Sequence, residues 1–183
     1  TNEFYESYHI VAWMKRFTEI VCDMYSNRIK EPMTTIVVRP GNLYGPYDKF
    51  DWEKSKVIPA IMRRAIEKHN PFEVWGDGNQ TRSFLYIDEC LEAMKRLMES
   101  DWTGPVNIGS EEMVSINQLV EYVMEIAGKK LTMMHIDGPL GVRGRNSDNT
   151  LFGDKIGWKP SQSLLVGMTR TYKWIETQIN KEK

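Results

Sequence analysis

The sequence predicts an α/β protein. A long stretch of helical apolar spacing is followed at once by a β-branched run, and strand-like and helix-like segments then alternate to the end. No internal repeat or low-complexity stretch interrupts that alternation. Between Ile10 and Met24 the residues Trp13, Met14, Phe17, Ile20 and Val21 recur at helical spacing, and Pro32 closes the segment after Ile29. Thr34 to Val38 then reads as a short buried strand ending at Arg39-Pro40. A helix feeding a strand in this way is half of a βαβ crossover.

Residues 41–52 form a loop rich in Gly, Pro, Asn and Asp, and helical spacing resumes from Lys56 to Lys68. Phe72–Trp75 and Arg82–Ile87 read as two strands joined by the turn Gly76-Asp77-Gly78-Asn79. Asp88 is expected to cap a helix running to Met98, because its carboxylate can accept from first-turn amides. Pro105–Ile108 is a further strand. Ser115 is the next N-cap, opening a helix from Ile116 to Ala127 that Gly128 stops. Leu131–Ile136 is a candidate strand, 137–149 a polar loop, and Leu164–Ile179 a last helix.

The 183 residues, 41% hydrophobic and 27% charged, suffice for one sizeable core or a core plus a docked appendage. A net charge of −1 gives no electrostatic reason to expect nucleic acid or an anionic membrane as partner. No apolar run approaches the ~18 residues of a membrane span. Cys22 and Cys90 form no CxxC pair, and His9, His69 and His135 lack ligand spacing, so no metal is expected and a cytoplasmic location is. The chain opens on Thr1, without Met and with a helix rather than a strand, and no GxGxxG or GxxGxxG turn occurs in it. The expectation is therefore a fragment or trimmed chain whose dinucleotide-binding turn lies elsewhere.

Four polar stretches carry more specificity than a core requires. Asn42, in Arg39-Pro40-Gly41-Asn42, follows a strand, where ligands of open α/β sheets bind; its alternative is to cap its own backbone. Arg82 leaves the 76–79 turn and either pairs with a phosphate or stays a solvated edge residue. Arg143 and Arg145 sit among glycines, where open amides and guanidiniums suit a pyrophosphate; the alternative is a flexible basic loop. Lys56, at the mouth of a helix, either serves an acidic ligand or faces solvent.

Five segments, RPGNLYGP (39–46), KVIPAIMRRA (56–65), VWGDGNQTRSFLYIDE (74–89), PVNIGSEEMVSI (105–116) and GWKPSQSL (157–164), together resemble the extended short-chain dehydrogenase/reductase family of NAD-dependent nucleotide-sugar epimerases and dehydratases. The loop GVRGRNSDN (141–149) and the ending TYKWIETQINKEK are most similar to its GDP-mannose 3,5-epimerase branch, and YGPYDKFDWEKSKVIPA is similar to GDP-fucose synthases. The resemblance implies the C-terminal part of a Rossmann-type NAD(P)-binding fold plus a smaller α/β substrate domain. Residues 1–40 would be the last helix–strand portion of the first, and 41–183 the second, with short segments returning to the Rossmann sheet.

It further implies NAD or NADP as cofactor, a nucleotide-diphosphate sugar as substrate, and a homodimer. Asn42 would contact the sugar nucleotide near the reacting ring and Arg64 the diphosphate. Gln80, Thr81 and Arg82 would hold nucleotide or phosphate, and Arg145 would be the second diphosphate clamp. Lys56 matches an acid/base lysine of the GDP-mannose branch. The family's Tyr-x-x-x-Lys pair places a proton-transferring tyrosine one helical turn before a lysine that binds the nicotinamide ribose and lowers the tyrosine's pKa. Lys15 matches that lysine, and Arg39 is expected beside it on the cofactor side. Four residues earlier stands Val11, which transfers no proton; Tyr8 lies seven residues before Lys15, about two helical turns away. Three readings stay open: a divergent or inactive member, Tyr8 brought in by an irregular helix start, or misassigned first residues.

In the complete enzyme the implied reaction is oxidation of the hexose at C4 with NAD. Proton exchange at C3 and C5 through Lys56 and an upstream partner follows, and then re-reduction. The alternatives are a nucleotide-sugar 4,6-dehydratase, a GDP-fucose-synthase-like reductase, or a non-catalytic sugar-nucleotide-binding homologue. The isolated chain is expected to be inactive.

Overall fold

The structure is a computed structural model that describes residues 6–138 and 141–181. The chain's first residues, two positions of the 137–149 loop and the last two of the TYKWIETQINKEK ending lie outside the described residues. A 3-10 turn at Glu6–Tyr8 leads into helix α1, His9–Asn27. Strands β1 (Val38–Pro40) and β2 (Asn42–Tyr44) follow, then α2 (Val57–Ile66), β3 (Phe72–Trp75), β4 (Thr81–Tyr86) and α3 (Ile87–Met98). The second half runs β5 (Val106–Ile108), β6 (Met113–Ser115), α4 (Ile116–Ala127), β7 (Met133–Ile136), β8 (Gly144–Arg145), α5 (Thr150–Ile156) and α6 (Leu164–Lys181).

The predicted α/β class holds, and the pairing is mostly parallel. β1 pairs with β5, β2 with β4, β3 with β7, and β4 with β8, all in parallel, whereas β4 and β6 run antiparallel. β4 is the hub. Its first half meets β6 and β8, and its second half, Phe84–Tyr86, meets Asn42–Tyr44 of β2.

Two buried clusters support this frame. Leu85, Cys90, Ala93, Leu97, Val106, Ile108 and Phe152 join the β1–β5 pair to α3 and α5. The larger cluster packs α2, α4 and α6 around Phe72, Phe84 and Val114, with Met62, Val120 and Met168 fully enclosed. Each such side chain contributes ~1.5–3 kcal/mol through removal from water.

Local signals account for the helix most legible from sequence. Ser115 Oγ accepts from Gln118 N at 3.1 Å while Gln118 Oε1 accepts from Ser115 N at 2.8 Å, a reciprocal cap at the start of α4. At its other end Gly128 takes φ 62°, the left-handed conformation that suits glycine.

Helix α1 is different, because none of its residues is buried. Its ties to the body are polar. Thr35 Oγ1 donates to Cys22 O at 3.1 Å and shares a 2.6 Å bond with Ser26 Oγ. Arg39 grips Glu19 with Nε and Nη2, both at 2.6 Å. Ile10, Met14 and Phe17 remain 74%, 65% and 66% exposed, so much of the apolar stripe read from the helical periodicity lies at the surface.

Four expectations are corrected. The 76–79 turn does not close a hairpin, since β3 pairs with β7 and β4 with β2, β6 and β8. Asp88 does not cap α3; Tyr86 occupies that position with no side-chain cap, and Asp88 lies within the first turn. The 34–38 strand is shifted to Val38–Pro40, because only from Val38 does the chain run in register with Val106. The 137–149 loop contains the short strand β8, drawn against β4.

Candidate functional site

Parallel β1 and β5 end together, with Pro40 beside Ile108 and Gly41 N donating to Ile108 O at 2.7 Å. Next to these carboxyl ends lies a cavity of about 310 Å³, lined by Lys15, Arg39, Pro40, Gly41, Asn42, Ser83, Asn107, Arg145, Asn146 and Ser147. The lining holds three cations, three carboxamides and two hydroxyls, and no carboxylate. Such a donor-rich wall, at the mouth of parallel strands, favours an anionic, hydroxyl-bearing ligand.

Each element contributes for a local reason. The close approach of the 145–149 loop to β5 needs Gly109, where any Cβ would strike the Ser147 side chain. The loop is fastened to the 76–79 turn by Arg143, whose Nη1 donates to Asp77 Oδ2 at 3.4 Å and whose carbonyl accepts from Thr81 N at 2.9 Å. Asp77 itself is held ionised: the Asn79 backbone amide bonds its carboxylate, with help from Arg143, and its pKa falls below the usual carboxylate range. Arg143 is thus spent on the turn, and Arg145 alone of the pair lines the cavity.

The register of β8 on β4 makes Arg145 the direct neighbour of Arg82, and Gly144 that of Thr81. Partner residues of parallel strands sit side by side, so the register makes two arginines neighbours along β4 and β8. Arg82 Nη1 bonds Thr81 O at 2.7 Å.

Asn42 does not cap its own backbone. Its Nδ2 donates to Ser83 O at 2.9 Å, linking β2 to β4 beside the cavity. Arg39 lines the cavity from β1 while Glu19 holds one edge of its guanidinium; this contact and Arg16 lower the Glu19 pKa from its ordinary value. Gln80 is buried, its Nε2 donates to Trp75 O at 3.3 Å, and its Oε1 has no hydrogen-bond partner among the described residues.

Six other residues named from the sequence stand outside the cavity wall: Gln80, Thr81 and Arg82, which sit beside it at the start of β4, and Lys56, Arg64 and Tyr8. Lys56 is exposed at the start of α2, with Nζ 3.4 Å from Asp48 Oδ1. Arg64 donates to Glu73 O at 2.9 Å and packs against the Phe72 ring. Tyr8 closes the 3-10 turn that precedes α1. Its ring lies under the Arg145 guanidinium, 5.2 Å from Cζ to centroid. The sequence reading missed Ser83, Asn107, Asn146 and Ser147. The available signal was a polar residue inside a short apolar strand, as in Val106-Asn107-Ile108.

A mixed-charge depression of about 530 Å³ beside Trp52 and Arg63 is lined also by Asp51 and Glu53, and so lacks the one-signed wall of the cavity at β1.

With this geometry established, comparison with known proteins places the chain. The model of the NAD-dependent epimerase/dehydratase family matches residues 11–109, more than half of the chain. The chain belongs to that family. GDP-mannose 3,5-epimerase of Arabidopsis thaliana is 47% identical over 169 residues, covering 92% of this chain and 44% of that protein. A probable GDP-L-fucose synthase of Oryza sativa subsp. japonica is 36% identical over 191 residues, covering 100% of this chain and 55% of that protein. A crystal structure of UDP-glucose 4-epimerase with UDP-glucose, from Thermotoga maritima, superposes with a TM-score of 0.81 at 25% identity, over 94% of this chain and 54% of that one. The chain therefore spans about half the length of the relatives it matches. The family match includes α1 from Val11 onward, with Lys15, and the strand-end residues Arg39 to Asn42. No described helix is long and apolar enough to cross a membrane, and no metal-binding cluster occurs among the described residues.

Proposed function

We propose that the chain is the nucleotide-sugar-binding part of an NAD-dependent epimerase acting on GDP-mannose, with 3,5-epimerase-like chemistry in the complete protein. The observation that carries this reading is the carboxylate-free cavity wall of Lys15, Arg39 and Arg145, with Arg82 in register beside Arg145. A planar guanidinium matches two phosphate oxygens at once, and two neighbouring ones match a diphosphate. The 47% identical relative supports GDP-mannose over other sugar nucleotides.

In this reading Arg145 and Arg82 hold the diphosphate, with Arg64 at its far side and Gln80 and Thr81 toward the nucleotide. Gln80 Oε1, buried without a partner among the described residues, is the acceptor that a base or ribose donor would satisfy. Asn42 orients the sugar from the start of β2, and Lys56 Nζ, which stands outside the cavity wall at the start of α2, moves protons at the ring carbons. The donor set fits the family's cofactor: the Lys15 amine and the Arg39 guanidinium sit on the cavity's α1–β1 side, where they would hold ribose hydroxyls and phosphate. Bound NAD supplies reversible hydride removal at the sugar ring.

Residues 1–40 are then the last helix–strand portion of the cofactor domain and 41–183 the sugar-nucleotide domain, with segments 85–108 and 152–158 returning to share a core with β1. The exposed apolar residues of α1 fit a homodimer contact, and the free thiols Cys22 and Cys90 fit the reducing cytoplasm. Lacking a glycine-rich turn in its sequence, the isolated chain binds substrate without turning it over.

One observation favours a second reading. Val11 stands where the family's proton-transferring tyrosine is expected, which fits a non-catalytic sugar-nucleotide-binding homologue. Calorimetric titration with GDP-mannose, UDP-glucose and GDP tests the shared claim: GDP-mannose binds more tightly than UDP-glucose, and no heat with any of them overturns it. Restoring tyrosine at position 11 within a complete protein, with product analysis by NMR, separates the two. A gain in turnover favours loss of catalysis in this chain, and no gain counts against it.

A further inference from the structure

Tyr8 does not lie one turn before Lys15, yet it is placed with care. The 3-10 turn at Glu6–Tyr8 sets its ring against the guanidinium of Arg145, 5.2 Å from Cζ to the ring centroid. Its hydroxyl lies on the same side of the loop as Arg82: a side chain at Gly141 would meet Arg82 Nη2 at 3.8 Å and Tyr8 Oη at 4.0 Å. Gly141, at φ 61°, turns the chain there. One aromatic side chain thus reaches from the start of the first helix to Arg145, which β8 holds in register with Arg82 of β4.

An arginine on a two-residue strand, itself exposed, has many rotamers, and fixing one of them costs free energy when an anion binds. An aromatic face below a guanidinium fixes its plane without using any of its N–H donors, which stay available for oxygens. A carboxylate in the same place would hold the arginine but neutralise it, as Glu19 partly does for Arg39.

Resting on the sugar-nucleotide reading, we infer that Tyr8 is a positioning residue: its ring braces Arg145 at the mouth of the cavity so that the guanidinium meets a diphosphate already oriented. The ring, not the hydroxyl, carries this role. It also couples α1 to the anion site, because the turn holding Tyr8 continues directly into the helix bearing Lys15.

The test is calorimetric titration of the full chain with GDP-mannose, comparing Tyr8→Phe, Tyr8→Leu and Arg145→Ala with the parent, and each variant's melting temperature beside it. Tyr8→Phe keeps the aromatic face and binds within about two-fold of the parent, whereas Tyr8→Leu keeps bulk without that face and binds about three- to ten-fold more weakly at an unchanged melting temperature. Combined with Arg145→Ala, Tyr8→Leu causes no further loss, since the brace then has nothing to hold. Parent binding with Tyr8→Leu equal to it, or with Tyr8→Phe as weak as Tyr8→Leu, overturns the inference alone. No binding of GDP-mannose by the parent overturns the sugar-nucleotide reading and the inference with it.

Discussion

Replacing Glu19 by glutamine removes the charge that Arg39 grips with two 2.6 Å hydrogen bonds while keeping the side chain's shape. Charge-assisted hydrogen bonds contribute ~1.5–3 kcal/mol. The Arg39 side chain is 46% exposed, so solvent screening brings this pair down toward ~1 kcal/mol. Because α1 buries none of its residues, the loss appears first as local opening of the helix rather than global unfolding. Hydrogen exchange of the α1 amides, followed by mass spectrometry, should lose about five-fold in protection near residues 15–23, the equivalent of ~1 kcal/mol. The pH dependence has a fixed sign. The folded Glu19 carboxyl has a pKa below its ordinary 4.5, mainly through the Arg39 hydrogen bond, so the clasp is fully present above that value and fades as pH falls through the lower folded value. Glu19→Gln should erase this acid-side fall in α1 protection. A double-mutant cycle with Arg39→Gln giving no coupling, or α1 protection unchanged in Glu19→Gln, refutes the reasoning.

Other substitutions separate structural from functional roles. Ser115→Ala removes the reciprocal cap of α4 and should cost ~1 kcal/mol, read as a melting-temperature fall of about 2–4 °C. Phe152→Ala empties a fully enclosed site in the β1–β5 cluster and should cost ~3–5 kcal/mol in urea unfolding. Lys56→Ala removes only an exposed 3.4 Å ion pair with Asp48, so stability should change by less than ~0.5 kcal/mol while turnover by a complete protein is lost; a large stability loss contradicts its placement.

What the sequence reveals depends on how local the cause is. The α4 helix was readable to the residue because Ser115, Gln118 and Gly128 are neighbours that settle their own ends. β2 was not, since Asn42–Tyr44 is three residues between glycines and becomes a strand only through pairing with Phe84–Tyr86, 42 positions on. For the same reason two turn-linked strands looked like a hairpin, although β3 pairs with β7, which lies beyond α4. α5 hides in seven residues with Gly153 at their centre. Within the site, Asn42 and the arginines stood out as polar groups beside glycines, whereas Ser83 and Asn107 gain their position only when β4 and β5 meet the loop at 145–147. The apolar stripe of α1 was legible as a helix, but sequence periodicity does not say what covers it.

The account stands most directly on Arg82 and Arg145 acting as one diphosphate clamp. Calorimetric titration of GDP-mannose into the chain and its Arg82→Ala, Arg145→Ala and double variants measures this. Saturable binding by the parent, weakened about ten-fold or more by each single change and by less than the product in the double variant, is the predicted result. Parent-like affinity in the double variant contradicts it.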